Sequence, residues 1–188
     1  MKIDLNCDMG ELEDAAHEAA LMAFVTSANI ACGAHAGDLA TMERTARLAL
    51  ERGVRIGAHP GYPDRENFGR LELAMSAEAV AQTVCEQIVL LDGVVTRLGG
   101  SVAYVKPHGA LYNVAVHNAA VARAIAEGAA RWNPGDWMTF ALDVWSVRMK
   151  FNSARVLFTT VATLRFVTPP INWPLVKPFG PVTPAVFR

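Results

Sequence analysis

The sequence predicts an α/β fold in which parallel strands alternate with helices around one sheet or barrel. Three observations predict it. Short apolar runs alternate four times with longer helix-forming stretches in the first 131 residues, the pattern of repeated βα units. Each apolar run ends in polar residues with glycine close by: Asn6-Cys7-Asp8-Met9-Gly10, Ala31-Cys32-Gly33-Ala34-His35-Ala36-Gly37-Asp38, Gly57-Ala58-His59-Pro60-Gly61 and Val105-Lys106-Pro107-His108-Gly109. In parallel α/β folds chemistry sits at the carboxyl ends of strands, so four strand ends are expected to converge on one site. A length of 188 residues suits a single domain with a sizeable core.

Taken in order, residues 2–7 alternate as a buried strand does. Residues 11–25 are alanine-rich with acids at the start, which suits a helix and its dipole. Residues 27–32 form a second strand. Asp38 caps a helix over 39–52, and Gly53 ends it. Residues 54–58 are a third strand, followed by a loop at 60–71 rich in proline, glycine and charge. Ser76 starts a long helix that runs to about Leu98 and stops at Gly99-Gly100. Residues 101–105 are a fourth strand that Pro107 terminates, since proline lacks a donor and restricts the residue before it. A helix follows over 118–131.

Beyond Arg131 the character changes. Residues 144–188 hold six basic groups and no acid, and six of the ten prolines fall between Pro169 and Pro184. Residues 137–142 read as a fifth strand and 155–167 as a β-rich apolar segment, whereas 169–184 suit neither helix interior nor central strand. The chain therefore divides into a regular part, 1–131, and an atypical segment, 132–188, within one domain.

Bulk properties exclude several function classes. A formal net charge of −1 gives no electrostatic reason to expect nucleic acid as partner. No apolar run reaches the roughly 18 residues needed to span a bilayer, and the N-terminus opens on a strand rather than a signal peptide. Cys7, Cys32 and Cys85 lack CxxC spacing, which favours reduced thiols and a cytoplasmic location. No G-x-x-x-x-G-K-[ST] occurs, so a P-loop is excluded.

The strand ends supply the candidate chemistry. Asp8 precedes a tight Met9-Gly10 turn and can bind a metal or act as a base; the plainer alternative is that Asp8 or Glu11 caps the next helix. His35 and His59 each sit just past a strand, and with Asp8 they make a three-ligand set for a divalent ion with a position open for water. Lys106 and His108 are delivered together at the end of a strand. A partly desolvated lysine binds a carboxylate or phosphate, or changes its pKa for base work; otherwise it snorkels from the rim. Asp64, Arg65, Asn67 and Arg70 form a polar loop suited to clamping an anion, or simply to facing solvent. Cys7 and Cys32 read as small buried residues.

Four stretches in order resemble the LamB/YcsF family: residues 3–11 around Asn6-Cys7-Asp8-Met9-Gly10-Glu11, residues 26–38 around Cys32-Gly33-Ala34-His35-Ala36-Gly37-Asp38, Gly57-Ala58-His59-Pro60-Gly61-Tyr62-Pro63-Asp64 with Phe68-Gly69-Arg70, and Val105-Lys106-Pro107-His108-Gly109-Ala110-Leu111-Tyr112-Asn113. The resemblance extends over about residues 1–131. It implies a distorted seven-stranded βα barrel of the glycoside hydrolase/deacetylase type. It also implies the A subunit of an ATP-dependent 5-oxoprolinase, which opens 5-oxoproline to glutamate with B and C subunits. Asp8, Lys106 and His108 carry over as catalytic candidates, Asn6, His35, His59 and Arg70 as substrate-binding ones, and ATP and a divalent metal ion as cofactors.

The chain departs from the family pattern. Ala34 stands where phenylalanine is usual and Leu71 where a second arginine is common. The family's later motifs are not found after about Arg131, so the barrel is expected to be incomplete, with open strand edges that invite a partner or a homo-oligomer. Two other readings remain open: a metal-dependent amidohydrolase or deacetylase working without ATP, and an inactive truncated member.

Overall fold

In the computed structural model, which describes residues 4–12, 14–132, 139–140 and 164–165, the short apolar runs form strands and the alanine-rich stretches form helices. The strands are β1 (Asn6–Met9), β2 (Ser27–Ala31), β3 (Arg55–His59), β4 (Val102–Val105), β5 (Thr139–Phe140) and β6 (Leu164–Arg165), side by side in that order. The first five run parallel, and β6 is antiparallel to β5. The helices are α1 (Ala15–Leu21), α2 (Leu39–Glu51), α3 (Ala77–Arg97), α4 (Gly109–Ala115) and α5 (Ala119–Trp132). The architecture is thus an α/β fold built on a parallel sheet.

Parallel strands are covered by crossover helices and read as buried runs rather than alternating ones. All five residues of β2 are buried, its polar members Ser27 and Asn29 included. The core joins Ile30, Ile56, Ala58 and Val105 of the sheet to Val84, Ile88, Leu91 and Val95 of α3 and to Ile125 and Ala129 of α5. Helix starts are set by side chains that accept from otherwise unpaired backbone N–H groups. Asp14 accepts from Ala16 and His17, Asp38 from Thr41, and Ser76 from Ala79.

The structure corrects the sequence reading in several places. The first strand is paired only from Asn6, because Leu5 exchanges bonds with the Thr26 hydroxyl and the backbone of Thr26 and Ser27 instead of a regular ladder. The first helix begins at Ala15 rather than Glu11, capped by Asp14, which leaves Glu11 outside the helix. The seven-residue α4 was not anticipated: it opens on a glycine and has no capping side chain. Strands β5 and β6 fall within the stretches 137–142 and 155–167, whose other residues, like 169–184, lie outside the described residues. Helix α3 is long and apolar enough by length and composition to cross a membrane, contrary to the expectation that no segment is. Its stripe of Val80, Val84, Ile88, Leu91 and Val95 is packed into the protein interior, as in a core helix.

Candidate functional site

Parallel pairing brings the carboxyl ends of β1 to β4 to one rim, and the register decides which side chains meet there. Asp8 lies opposite Asn29, Asn29 opposite Gly57, and Gly57 opposite Tyr104. These four make a row across the sheet. Gly57 has no side chain, and the Tyr104 ring occupies the room; a Cβ on Gly57 would lie 2.2 Å from Tyr104 Cε2. The ring passes over β3 so that its hydroxyl donates to Asn29 Oδ1 at 2.7 Å. That leaves the Asn29 amide to donate to Asp8 Oδ1 at 2.7 Å and to Asn6 Oδ1 at 3.1 Å. From the end of β4, Lys106 Nζ donates to the same Asp8 Oδ1 at 2.6 Å.

Three histidines and Glu11 gather beside Asp8. His59 Nδ1 is 2.6 Å from the Lys106 carbonyl oxygen, and its Nε2 is 3.4 Å from Asp8 Oδ2 and 3.6 Å from Glu11 Oε1. His108 Nε2 is 2.9 Å from the Phe68 carbonyl oxygen, and its Nδ1 is 3.0 Å from His59 Nε2 and 3.2 Å from Glu11 Oε1. His35 Nε2 is 3.2 Å from Glu11 Oε1, and its ring stacks on that of His108 with centroids 3.8 Å apart. One ligand atom from each of Glu11, His35, His59 and His108 falls within 4.8 Å of the others, a group able to hold a metal ion.

Buried side chains from behind hold the loops that carry these groups. Glu18 of α1 accepts from the backbone N–H of Gly10 and Glu11 through Oε1, and from the Thr45 hydroxyl through Oε2. Gln87 of α3 clips Gly61 at both ends, accepting from its N–H at 3.0 Å and donating to its carbonyl at 2.9 Å. Phe68 and Gly69 both have left-handed backbone, φ 56° and 62°. For a phenylalanine this is a strained conformation, and it accompanies the contact of the Phe68 carbonyl with His108. Gly69 is the residue this turn requires, because a Cβ there would also lie 2.8 Å from His35 Cβ.

Charge states follow from the same contacts. Burial pushes the Asp8 carboxyl up, but the His59 ring and the Lys106 ammonium beside it outweigh this, holding Asp8 well below the usual carboxylate range. Burial also pushes Glu11 up, and the surrounding rings of His108, His35 and His59 overcome this to bring it down to about 2. Burial lowers His35, so it favours the neutral imidazole. Cys32 is wholly buried and its thiol is pushed up to about 12, in keeping with its reading as a small core residue.

Of the residues singled out in the sequence, Asp8, His35, His59, Lys106 and His108 come together. The suggested ligand set changes: Glu11 and His108 join His35 and His59, while Asp8 is engaged by Lys106 and Asn29. Neither Asp8 nor Glu11 caps α1, a task Asp14 performs. Asn6 reaches the site through Asn29. Arg70 is exposed, with its guanidinium carbon 5.0 Å from the centroid of the Phe68 ring. Arg65, itself exposed, donates to the carbonyls of Gly33 and Gly37 and ties its loop to theirs, while Asp64 accepts from Asn67 within the loop. Sequence reasoning missed Glu11 as a site group, along with Asn29, Tyr104, Glu18 and Gln87. The available signals were a polar Asn29 in the middle of an apolar strand and the two-residue spacing of Tyr104 and Lys106, which puts both on one face of a strand.

Comparisons with known proteins identify the family. The model of the LamB/YcsF family matches residues 3–156, some 25 residues beyond the point where motifs ceased to be recognisable by eye. A protein of Bacillus mycoides (strain KBAB4), named as the A subunit of 5-oxoprolinase, is 49% identical over 136 residues, covering 71% of this chain and 54% of its own. The crystal structure of a lactam utilization protein from Thermus thermophilus is 42% identical and superposes with a TM-score of 0.70, covering 74% of this chain and 57% of its own. The chain thus spans a little over half the length of these relatives.

Proposed function

The chain belongs to the LamB/YcsF family, and we propose that it serves as the A subunit of an ATP-dependent 5-oxoprolinase, opening 5-oxo-L-proline to L-glutamate with B and C subunits. The observation that carries this reading is the 49% identity to a protein that bears the name of that same 5-oxoprolinase component. The family match also takes in every residue of the site, from Asn6 to His108. On this reading the parallel sheet is part of a seven-stranded barrel of the glycoside hydrolase/deacetylase type, and the enzyme works in the cytoplasm.

The chemistry fits the residues. A five-membered lactam is a stable amide, and phosphoryl transfer from ATP to its carbonyl oxygen, within the assembled enzyme, makes the carbon open to water. Asp8 is a weak base because it is held ionised; its part is to hold the Lys106 ammonium in place. Lys106 then presents a cation to the substrate carboxylate or to phosphate. The histidines and Glu11 beside it supply acid–base or electrophilic help at the carbonyl. Asn6 and Arg70 lie at the margin, where they contact the rest of the substrate.

The test is glutamate release from 5-oxoproline by this chain combined with B and C subunits of a relative, with and without ATP. Lys106→Met and His59→Ala are expected to lower kcat by about 100-fold or more while circular dichroism is unchanged. Wild-type turnover in both variants, or no ATP-dependent glutamate from the wild-type mixture, refutes the assignment. The cluster of three histidines and a carboxylate also favours a second reading, a metal-dependent amidohydrolase or deacetylase. Release of acetate from an N-acetyl substrate in the absence of ATP would select it.

A further inference from the structure

We propose that the rim holds a three-ligand site for a first-row divalent transition-metal ion, formed by Glu11 Oε1, His59 Nε2 and His108 Nδ1, with His35 outside it as the donor that orients Glu11. Nothing in this depends on the lactam reading. A neutral imidazole has one N–H and one lone pair. His59 Nδ1 lies 2.6 Å from the Lys106 carbonyl, and a carbonyl only accepts, so Nδ1 carries the hydrogen. His108 Nε2, 2.9 Å from the Phe68 carbonyl, carries its hydrogen for the same reason. The two lone pairs are therefore on His59 Nε2 and His108 Nδ1, which face each other at 3.0 Å.

Two acceptors at that distance repel unless something positive lies between them. A shared proton would serve two atoms. Here a third acceptor, Glu11 Oε1, lies 3.2 Å from His108 Nδ1 and 3.6 Å from His59 Nε2, closing a triangle on one point. Ligand atoms about 2.0–2.1 Å from a tetrahedral ion are about 3.3 Å apart, inside the range of these three edges. Two imidazole nitrogens and one carboxylate oxygen suit zinc, cobalt or iron better than magnesium or calcium. Three protein ligands leave a position open, as catalytic rather than structural sites do. The two backbone carbonyls are the outer partners that fix such histidines.

His35 is different. Its Nδ1 is buried with no partner among the described residues, and its Nε2 faces Glu11. With the hydrogen on Nε2, donation to Glu11 leaves only a lone pair unmet. As a fourth ligand through Nε2, it would leave a buried N–H with nothing to accept it, the costlier arrangement.

The test strips the full chain with a chelator and titrates it with Co²⁺, followed by visible absorption, and with Zn²⁺ by calorimetry. One ion per chain is expected in the micromolar range or tighter. Glu11→Gln, His59→Gln and His108→Gln should each weaken binding by more than about 100-fold, whereas His35→Asn should weaken it by about 10–100-fold and leave the Co²⁺ band in place. Circular dichroism without metal establishes that each variant is folded. X-ray absorption of the zinc-loaded wild type counts imidazoles without any variant, and two are expected. No stoichiometric binding by the wild type, three imidazoles on zinc, or a His35→Asn loss equal to that of the ligands overturns the assignment. Because the readout is binding, its failure is distinct from a failure of lactam turnover.

Discussion

Replacing Gly57 with alanine tests the row of side chains that crosses the sheet. The new methyl would sit 2.2 Å from Tyr104 Cε2, 2.3 Å from Cζ and 2.7 Å from Cδ2. Carbon atoms rest at about 3.5 Å, so the ring must retreat by about 1.3 Å. It cannot do so and keep its 2.7 Å bond to Asn29, which is itself fully buried. Overpacking a core costs about 1–3 kcal/mol, and stranding a buried hydrogen-bonding group costs about 1–3 kcal/mol more, so a loss of about 2–6 kcal/mol is expected. Urea unfolding measures it. The same change made in a Tyr104→Val background meets no ring and should cost less than about 0.5 kcal/mol by the additivity expected of uncoupled sites. Equal costs in the two backgrounds, or a negligible cost in the native one, would show that the ring does not rest on Gly57.

Two further outcomes follow from the same contacts. Gln87→Leu removes both partners of Gly61 and should lower unfolding stability by about 2–5 kcal/mol, with Gln87→Glu intermediate because it keeps the acceptor for the Gly61 N–H; a shift in urea midpoint below the error of measurement would contradict the clip. Glu11 is brought from its ordinary 4.5 to about 2, so the folded state favours its ionised form. Its contribution to stability is fully present above pH 4.5 and is lost as the pH falls toward 2. Glu11→Gln should therefore lose less stability than the wild type over that interval, and parallel stability curves would refute this.

Much of the fold was legible because each βα unit announces itself twice, by a short apolar run and by a helix with its cap. Asp38 and Ser76 were readable as caps from their positions alone. The strand-end residues were legible because Asp8, His35, His59 and Lys106 interrupt apolar sequence next to glycine or proline. What the sequence did not reveal depends on contacts between distant units. Glu11 looked like the first residue of a helix, and only the Asp14 cap and the Glu18 side chain show why it is free to face the histidines. Asn29 and Tyr104 are 75 positions apart, and their bond exists because Gly57, on the strand between them, leaves room. Composition marks the chain beyond Arg131 as atypical, while the family match continues to residue 156; composition is a weaker detector than position-by-position similarity.

The row from Asp8 through Asn29 to Tyr104 has a bearing on how the strands find their alignment. The second strand, Ser-Ala-Asn-Ile-Ala, offers few bulky groups by which a neighbour could sense a slip. Sliding any strand by one position would turn its side chains to the opposite face and strand the amide of Asn29 in the interior without company. The polar row thus acts as a key for strand alignment, and a chain that has settled into the correct pairing has, by that act, already assembled one wall of its reactive rim.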